Sequence, residues 1–251
     1  MLLISLIVLI ILLIVGDRVA VAVAKDVMAK EIKASVEASL DPSDTPPVVR
    51  EVSIGGFPFL TQVLFGNFKD IRVVIEGIPT PGPRIQQVDA RLKGVHVPFG
   101  DAISDNVGKV PVDDIKATVL LTYDDLNAYL ATQQGNVQVN PVDDGRRVEI
   151  VATVPGLPGL GDQQIGGVTT FEVQNNMLTL VPSEITLRGG INFNIPIPEN
   201  LVRSFLAQIP IPIAGLPFDL NIESARTTAT GLALSATAKD VVLPEAPKDA
   251  S

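Results

Sequence analysis

The heptapeptide DPSDTPP at residues 41–47 separates two kinds of sequence. Proline has no backbone donor and its ring collides with the preceding helical turn, so no helix continues through Pro42, Pro46 and Pro47. Before the break, Val21, Met28, Ile32, Val36 and Leu40 recur at helical intervals, with Lys25, Asp26, Lys30, Glu31, Lys33 and Glu37 between them. That spacing predicts an amphipathic helix over 19–40. After the break the period shifts to two. Ile71, Val73 and Ile75 alternate with Arg72 and Glu76, the signature of a strand with one buried face. The segments 48–54, 68–78, 84–97, 112–122, 146–154, 166–174, 177–189 and 232–243 all read as strands. INFNIPIP (191–198) alternates too, but Pro196 and Pro198 place it at a sheet edge or outside the sheet.

Short helices interrupt the strands. TYDDLNAYLAT (122–132) has Thr122 as its N-cap and Asp125 three residues on, where a negative charge suits a helix start. Leu126, Tyr129 and Leu130 form its apolar face. ENLVRSFLAQI (199–209) groups Leu201, Phe205 and Leu206, and is followed by an extended, proline-rich apolar run over 209–220. The sum is one long N-terminal helix, many antiparallel strands and a few short helices, which is an α+β fold. No shift in composition splits residues 41–244; with the preceding helix, a single domain is expected over 17–243, with a disordered tail over 244–251.

Residues 2–16, LLISLIVLIILLIVG, contain one polar side chain, Ser5. As a helix they span roughly 22 Å, short of a hydrocarbon core of about 30 Å. Residues 1–16 therefore read as a signal peptide or a marginal N-terminal membrane anchor, and the protein as exported to the cell envelope or periplasmic space, anchored or secreted. A leader normally carries cations ahead of its apolar run. Here Arg18, Lys25, Lys30 and Lys33 follow it, which suggests a start site upstream of Met1.

Several chemistries lack their residues. With no cysteine, thiol chemistry, disulfides and Cys-based metal sites are excluded. With one histidine, His96, no two-His metal motif exists. His96 with Asp101 is a formal acid–base pair, but a sheet-end histidine accounts for it better. The doublets Asp113–Asp114, Asp124–Asp125 and Asp143–Asp144 lack the spacing of a calcium loop and read as solvated faces and a helix cap. GLPGLG (156–161) is a strand connection rather than a dinucleotide loop. A net charge of −9 without a basic block excludes a nucleic-acid partner. No catalytic residue, cofactor or metal is expected, and the protein reads as a non-enzyme.

The aromatic residues are unevenly placed. The chain has no Trp, two Tyr and nine Phe, yet Phe57, Phe59, Phe65 and Phe68 crowd into GGFPFLTQVLFGNF (55–68). Pro58 at the first helical position and Gly66 just past the last predict a short helix. On a wheel, Leu60, Val63 and Leu64 join Phe59 on one apolar arc, Thr61 and Gln62 lie opposite, and Phe65 falls between those two. Such a helix is either buried all round or faces lipid. Two readings follow: a core plug, or a flap at the mouth of an apolar cavity whose opposite wall is Leu201–Ile213.

The ordered motifs of the chain resemble an actinobacterial envelope family, the LmeA-like (lipomannan elongation factor A) proteins. They are GFPFLTQ with the GNF step into a strand, LTYDDLNAYL, and GLPFDLNIESARTTATGLALSA. The resemblance runs in order over roughly residues 15–243. It implies a fold similar to the tubular lipid-binding (TULIP) superfamily, with a long helix wrapped by a highly twisted antiparallel sheet and an apolar groove. It also implies a link to phosphoinositide lipids and to lipomannan assembly, with an envelope mannosyltransferase as a further partner. The expected cargo is a phospholipid or glycolipid, met at a membrane surface. The residues proposed for the groove are Phe57, Phe59, Leu60, Leu64, Phe65, Leu126, Leu130, Leu201, Phe205 and Ile209. A headgroup phosphate calls for cations at the rim, for which Lys69, Arg72 and Arg203 are the candidates. Two alternatives stay open on the sequence: an accessory protein that docks on a membrane transferase without a ligand, and an enzyme of envelope glycolipid assembly with no recognisable motif.

Overall fold

The computed structural model describes residues 2–38, 44–98, 100, 109–133, 136–157, 161–188, 211–213, 216 and 220–243. The first element, α1 (Leu2–Ala38), joins the apolar run to the amphipathic stretch in one continuous helix. Beyond the proline-rich break the chain runs β1 (Val48–Gly55), α2 (Phe59–Phe65), β2 (Asn67–Phe68), β3 (Asp70–Ile78), β4 (Ile85–His96) and β5 (Val110–Thr122). There follow α3 (Tyr123–Leu130), β6 (Gln138–Val142), β7 (Arg147–Leu157), β8 (Gly161–Gln174) and β9 (Met177–Arg188). The last elements are β10 (Ile211–Pro212), β11 (Asn221–Thr227) and β12 (Gly231–Leu243).

The fold is α+β, with the N-terminal helix and antiparallel sheet expected of a TULIP-like protein, and the sheet does not close into a barrel. A seven-stranded sheet runs β1-β3-β4-β5-β12-β11, with β2 attached to β4. A five-stranded sheet runs β10-β9-β8-β7-β6, and its pairings are antiparallel throughout. By compactness the chain divides into two units. One comprises Met1–Glu76, Val88–Ala117 and Thr237–Ser251; the other comprises Gly77–Gln87 and Thr118–Ala236.

In the first unit, α1 packs against β1 and α2. β1 pairs antiparallel with β3 down to Gly55↔Asp70, with a bulge between Val49 and Glu51. Val52, Ile54, Phe68, Ile71, Val73, Ile75, Val88, Leu92 and Ile115 are buried. The outward side chains pair their charges: Arg72 spans Asp89 and Glu51, Arg50 meets Glu76, and Arg91 lies 3.5 Å from Asp70. One sheet face therefore supplies the core and the other faces water, as the period of two requires.

In the second unit, Ile85, Leu121, Leu126, Leu130, Ile150, Ile165, Leu178, Leu180 and Ile211 are almost completely inaccessible. Helix α3 starts where its cap residue predicts. Thr122 Oγ1 accepts from the Asp125 backbone N–H at 3.0 Å, which satisfies one of the helix's orphan donors. Leu126 and Leu130, one turn apart, point into the core. Tyr123 is buried beside them; its hydroxyl donates to the Thr228 carbonyl at 3.0 Å, and burial pushes its pKa up. At the end of β7, Leu157 pairs with Gly161 of β8.

Candidate functional site

Helix α2 lies between β1 and β3. Pro58 is its N-cap rather than its first residue, so the helix starts one residue later than the sequence suggests, and the Phe57–Pro58 peptide bond is cis. Gly66 ends the helix in the left-handed region, φ 62°, and its N–H bonds back to the carbonyls of Gln62 and Val63. A Cβ at Gly66 would sit 2.3 Å from the Val97 carbonyl oxygen, so only glycine fits.

The helix is turned over relative to the expected wheel. The buried residues are Phe59 and Gln62, not the leucines. Phe59 packs on Phe68 with ring centroids 6.1 Å apart. Gln62 is 5% exposed and uses both ends of its amide. Its Nε2 donates to the Gly55 carbonyl at 3.1 Å, and its Oε1 accepts from the Lys69 backbone N–H at 2.9 Å. A buried amide with both ends paired is tolerated, and here it sets which side of the helix faces inward. The outward side then carries Leu60 (45% exposed), Leu64 (60%) and Phe65 (78%), with Phe57 (57%) just before the helix. These four are not a core plug.

The N-terminus of α2 rests on α1. Asp17, 2% exposed, accepts from the Leu60 N–H through Oδ1 at 2.8 Å and from Arg18 Nη2 through Oδ2 at 2.9 Å. It caps α2 from another helix. The Arg18 guanidinium lies 5.2 Å from the centroid of the Phe57 ring, a cation–π contact. Along α1, Ile11, Val15, Val19, Val23 and Val27 form a stripe at four-residue spacing, and all five are more than half exposed. Leu12, Leu13 and Ile14 are exposed as well, so the turn before Asp17 is apolar on every side and uncovered. Among the described residues, no helix is long and apolar enough to cross a membrane.

The remaining candidates lie elsewhere. Leu126 and Leu130 are core residues of the second unit. The opposite side of α3 borders a cavity of about 460 Å³ with a mixed lining that includes Arg84, Asp125, Tyr129, Thr132 and Gln133. Lys69 is exposed just beyond α2. Arg72 is held by Asp89 in a two-pronged pair at 2.9 and 2.8 Å and by Glu51 at 3.1 Å. The hydrogen bonding that Arg72 donates to Asp89, then the two negative charges, raise the Arg72 pKa, and the same bonding holds the Asp89 carboxyl below its usual range. Arg72 thus already has its anions. His96 Nε2 lies 3.0 Å from Asp113 Oδ1 across the sheet. Leu201, Arg203, Phe205, Ile209 and Asp101 lie outside the described residues.

Sequence reasoning passed over Asp17 and Gln62. Asp17 did carry a signal, as the first charge after the apolar run. Gln62 did not, because its partners are backbone groups on both sides of the helix.

A family model described as LmeA-like phospholipid-binding matches residues 15–237, most of the chain. No curated protein and no solved structure matches it. The chain belongs to the LmeA-like phospholipid-binding family.

Proposed function

With that membership as the premise, we propose that the protein is a non-enzymatic phospholipid carrier of the cell envelope, exported and held at the membrane, which supports lipomannan elongation. Its cargo is a phospholipid, with phosphoinositide as the favoured class, and its downstream partner is an envelope mannosyltransferase. The observation that carries this reading is the family match over residues 15–237. The apolar N-terminal run of α1 and the outward-facing apolar residues beside it support a site of work at a bilayer.

The physical demand on such a carrier is large. A chain of about 16 carbons gains about 0.8 kcal/mol per CH₂ when it leaves water, so the protein must shield most of the tail to compete with the bilayer. Native mass spectrometry of the full chain, released from its host membrane in mild detergent, tests the reading. A retained adduct with the mass of a phospholipid is the expected result and identifies the cargo. A bare chain that stays bare after incubation with envelope lipids would refute carriage.

A further inference from the structure

The exposed face of α2 is unusual for a short surface helix. Of its two polar side chains, Gln62 is buried and Thr61 is exposed with its hydroxyl donating to the Pro58 carbonyl, while Phe57, Leu60, Leu64 and Phe65 face out. Solvent-exposed aromatic and aliphatic side chains in one contiguous patch mark a surface with a partner. The arrangement is held actively: Gln62 fixes the roll of the helix, Asp17 fixes its N-terminus and Gly66 fixes its exit.

We propose that this face docks on a phospholipid bilayer, inserting Phe57, Leu60, Leu64 and Phe65 into the boundary between headgroups and acyl chains. The inference rests on the reading that the protein works at a membrane. Three observations select a bilayer over another occupant. First, the patch adjoins α1 at Asp17, immediately after the segment Ile11–Val15, where the helix is apolar and exposed on every side. A surface that binds a protein partner is one-sided; a helix turn that is apolar all round suits a solvent that surrounds it. Second, Phe57 lies under the Arg18 guanidinium, which remains half exposed, and Lys69 is exposed at the other end of α2. Cations flanking an apolar face match a headgroup layer with phosphates above the acyl chains. Third, such elements enter the bilayer by about 5–10 Å, a depth that the outward side of one short helix can span.

The segment is therefore bilayer-facing rather than a flap over an internal cavity. The four side chains contact many lipids at once and none specifically.

The chain lacks Trp and Cys, so Phe65→Trp gives the full-length protein one fluorescent reporter. Met177→Trp, at another exposed apolar position, is the comparison. Both variants are reconstituted with phosphatidylcholine–phosphatidylglycerol vesicles, with or without acyl-brominated lipid. Docking predicts a blue shift and loss of most of the emission to bromine at position 65 only. Emission at position 65 that remains open to aqueous iodide on vesicle-bound protein would overturn the proposal, as would equal quenching at both positions. Leu60→Ser/Leu64→Ser, which leaves Phe59 and Gln62 intact, is expected to restore iodide access at position 65. A protein dimer that this double substitution dissociates would instead assign the face to a second copy of the chain and refute bilayer docking. Phospholipid uptake from detergent micelles, which needs no bilayer, is measured on the same variants. Uptake without docking refutes this inference alone, whereas docking without uptake refutes carriage alone.

Discussion

Gln62→Leu keeps nearly the volume of a side chain that is 5% exposed and removes both polar ends. The Gly55 carbonyl loses a donor at 3.1 Å and the Lys69 N–H loses an acceptor at 2.9 Å. An intramolecular hydrogen bond contributes about 0.5–1.5 kcal/mol net, and a buried group left unpaired costs more. Gly55 is half-buried and Lys69 exposed, so water reaches both, and the lower end applies. The sum is about 1 kcal/mol, confined to α2 and its flanks. That corresponds to about 5-fold in a local opening equilibrium. Native-state hydrogen exchange reads it directly: the Lys69 amide should exchange faster by about that factor. Amides beside Leu126 should not change. Gln62→Glu sharpens the test. Its ionised carboxylate can accept from Lys69 but cannot donate to the Gly55 carbonyl; the protonated acid can do both. Its folded pKa should therefore lie above the unfolded value of about 4.3. The stabilisation is then fully present below that unfolded value and is lost as pH rises through the folded pKa. An unchanged Lys69 exchange rate in Gln62→Leu, or a pH-independent Gln62→Glu, would refute the claim that this amide holds the helix roll.

Two further outcomes are expected. Leu126→Ala, at a side chain with no exposure, should cost about 2–5 kcal/mol and lower the urea midpoint, while Leu64→Ala, 60% exposed, should stay within about 0.5 kcal/mol. Asp89 is held low by Arg72, so its contribution is present above the unfolded aspartate value of about 3.9 and lost as pH falls through the folded pKa. Urea midpoints followed from pH 6 downward, to about pH 2, should show a shallower acid decline for Asp89→Asn than for the parent protein.

Much of the architecture was legible because it follows from periodicity. The proline-rich break, the cap at Thr122 and the strands over 48–54, 84–97, 112–122 and 232–243 all stand within a few residues of their expected places. The strands β6 and β11 were missed for a physical reason. Both lie at sheet edges, where a strand such as QVNPV or NIESART has one strand neighbour and needs little apolar alternation. Pro141 sits in β6, where an edge tolerates the missing donor. The orientation of α2 was misjudged because a hydrophobic wheel weighs transfer free energy alone. Gln62 is buried by two backbone groups that the wheel cannot see. Arg72 was chosen as a cation for a headgroup from its position in sequence, whereas its carboxylate partners come from neighbouring strands.

The β1–β3 ladder closes at Gly55↔Asp70, so everything between those two residues emerges from a single seam in the sheet. Among the described residues the fastenings of that stretch to the rest of the chain are few: Gln62 on the Gly55 carbonyl, Asp17 on the Leu60 N–H, Arg18 on the Phe57 ring, the short β2–β4 pairing and the Val97 N–H on the Gly66 carbonyl. It is organised as a removable cartridge. Its outward side chains can diverge between relatives while the strands that hold it keep their register. Under the proposed bilayer docking, a change of lipid composition is met by these side chains alone, and the cartridge is the unit to exchange in chimaeras between family members.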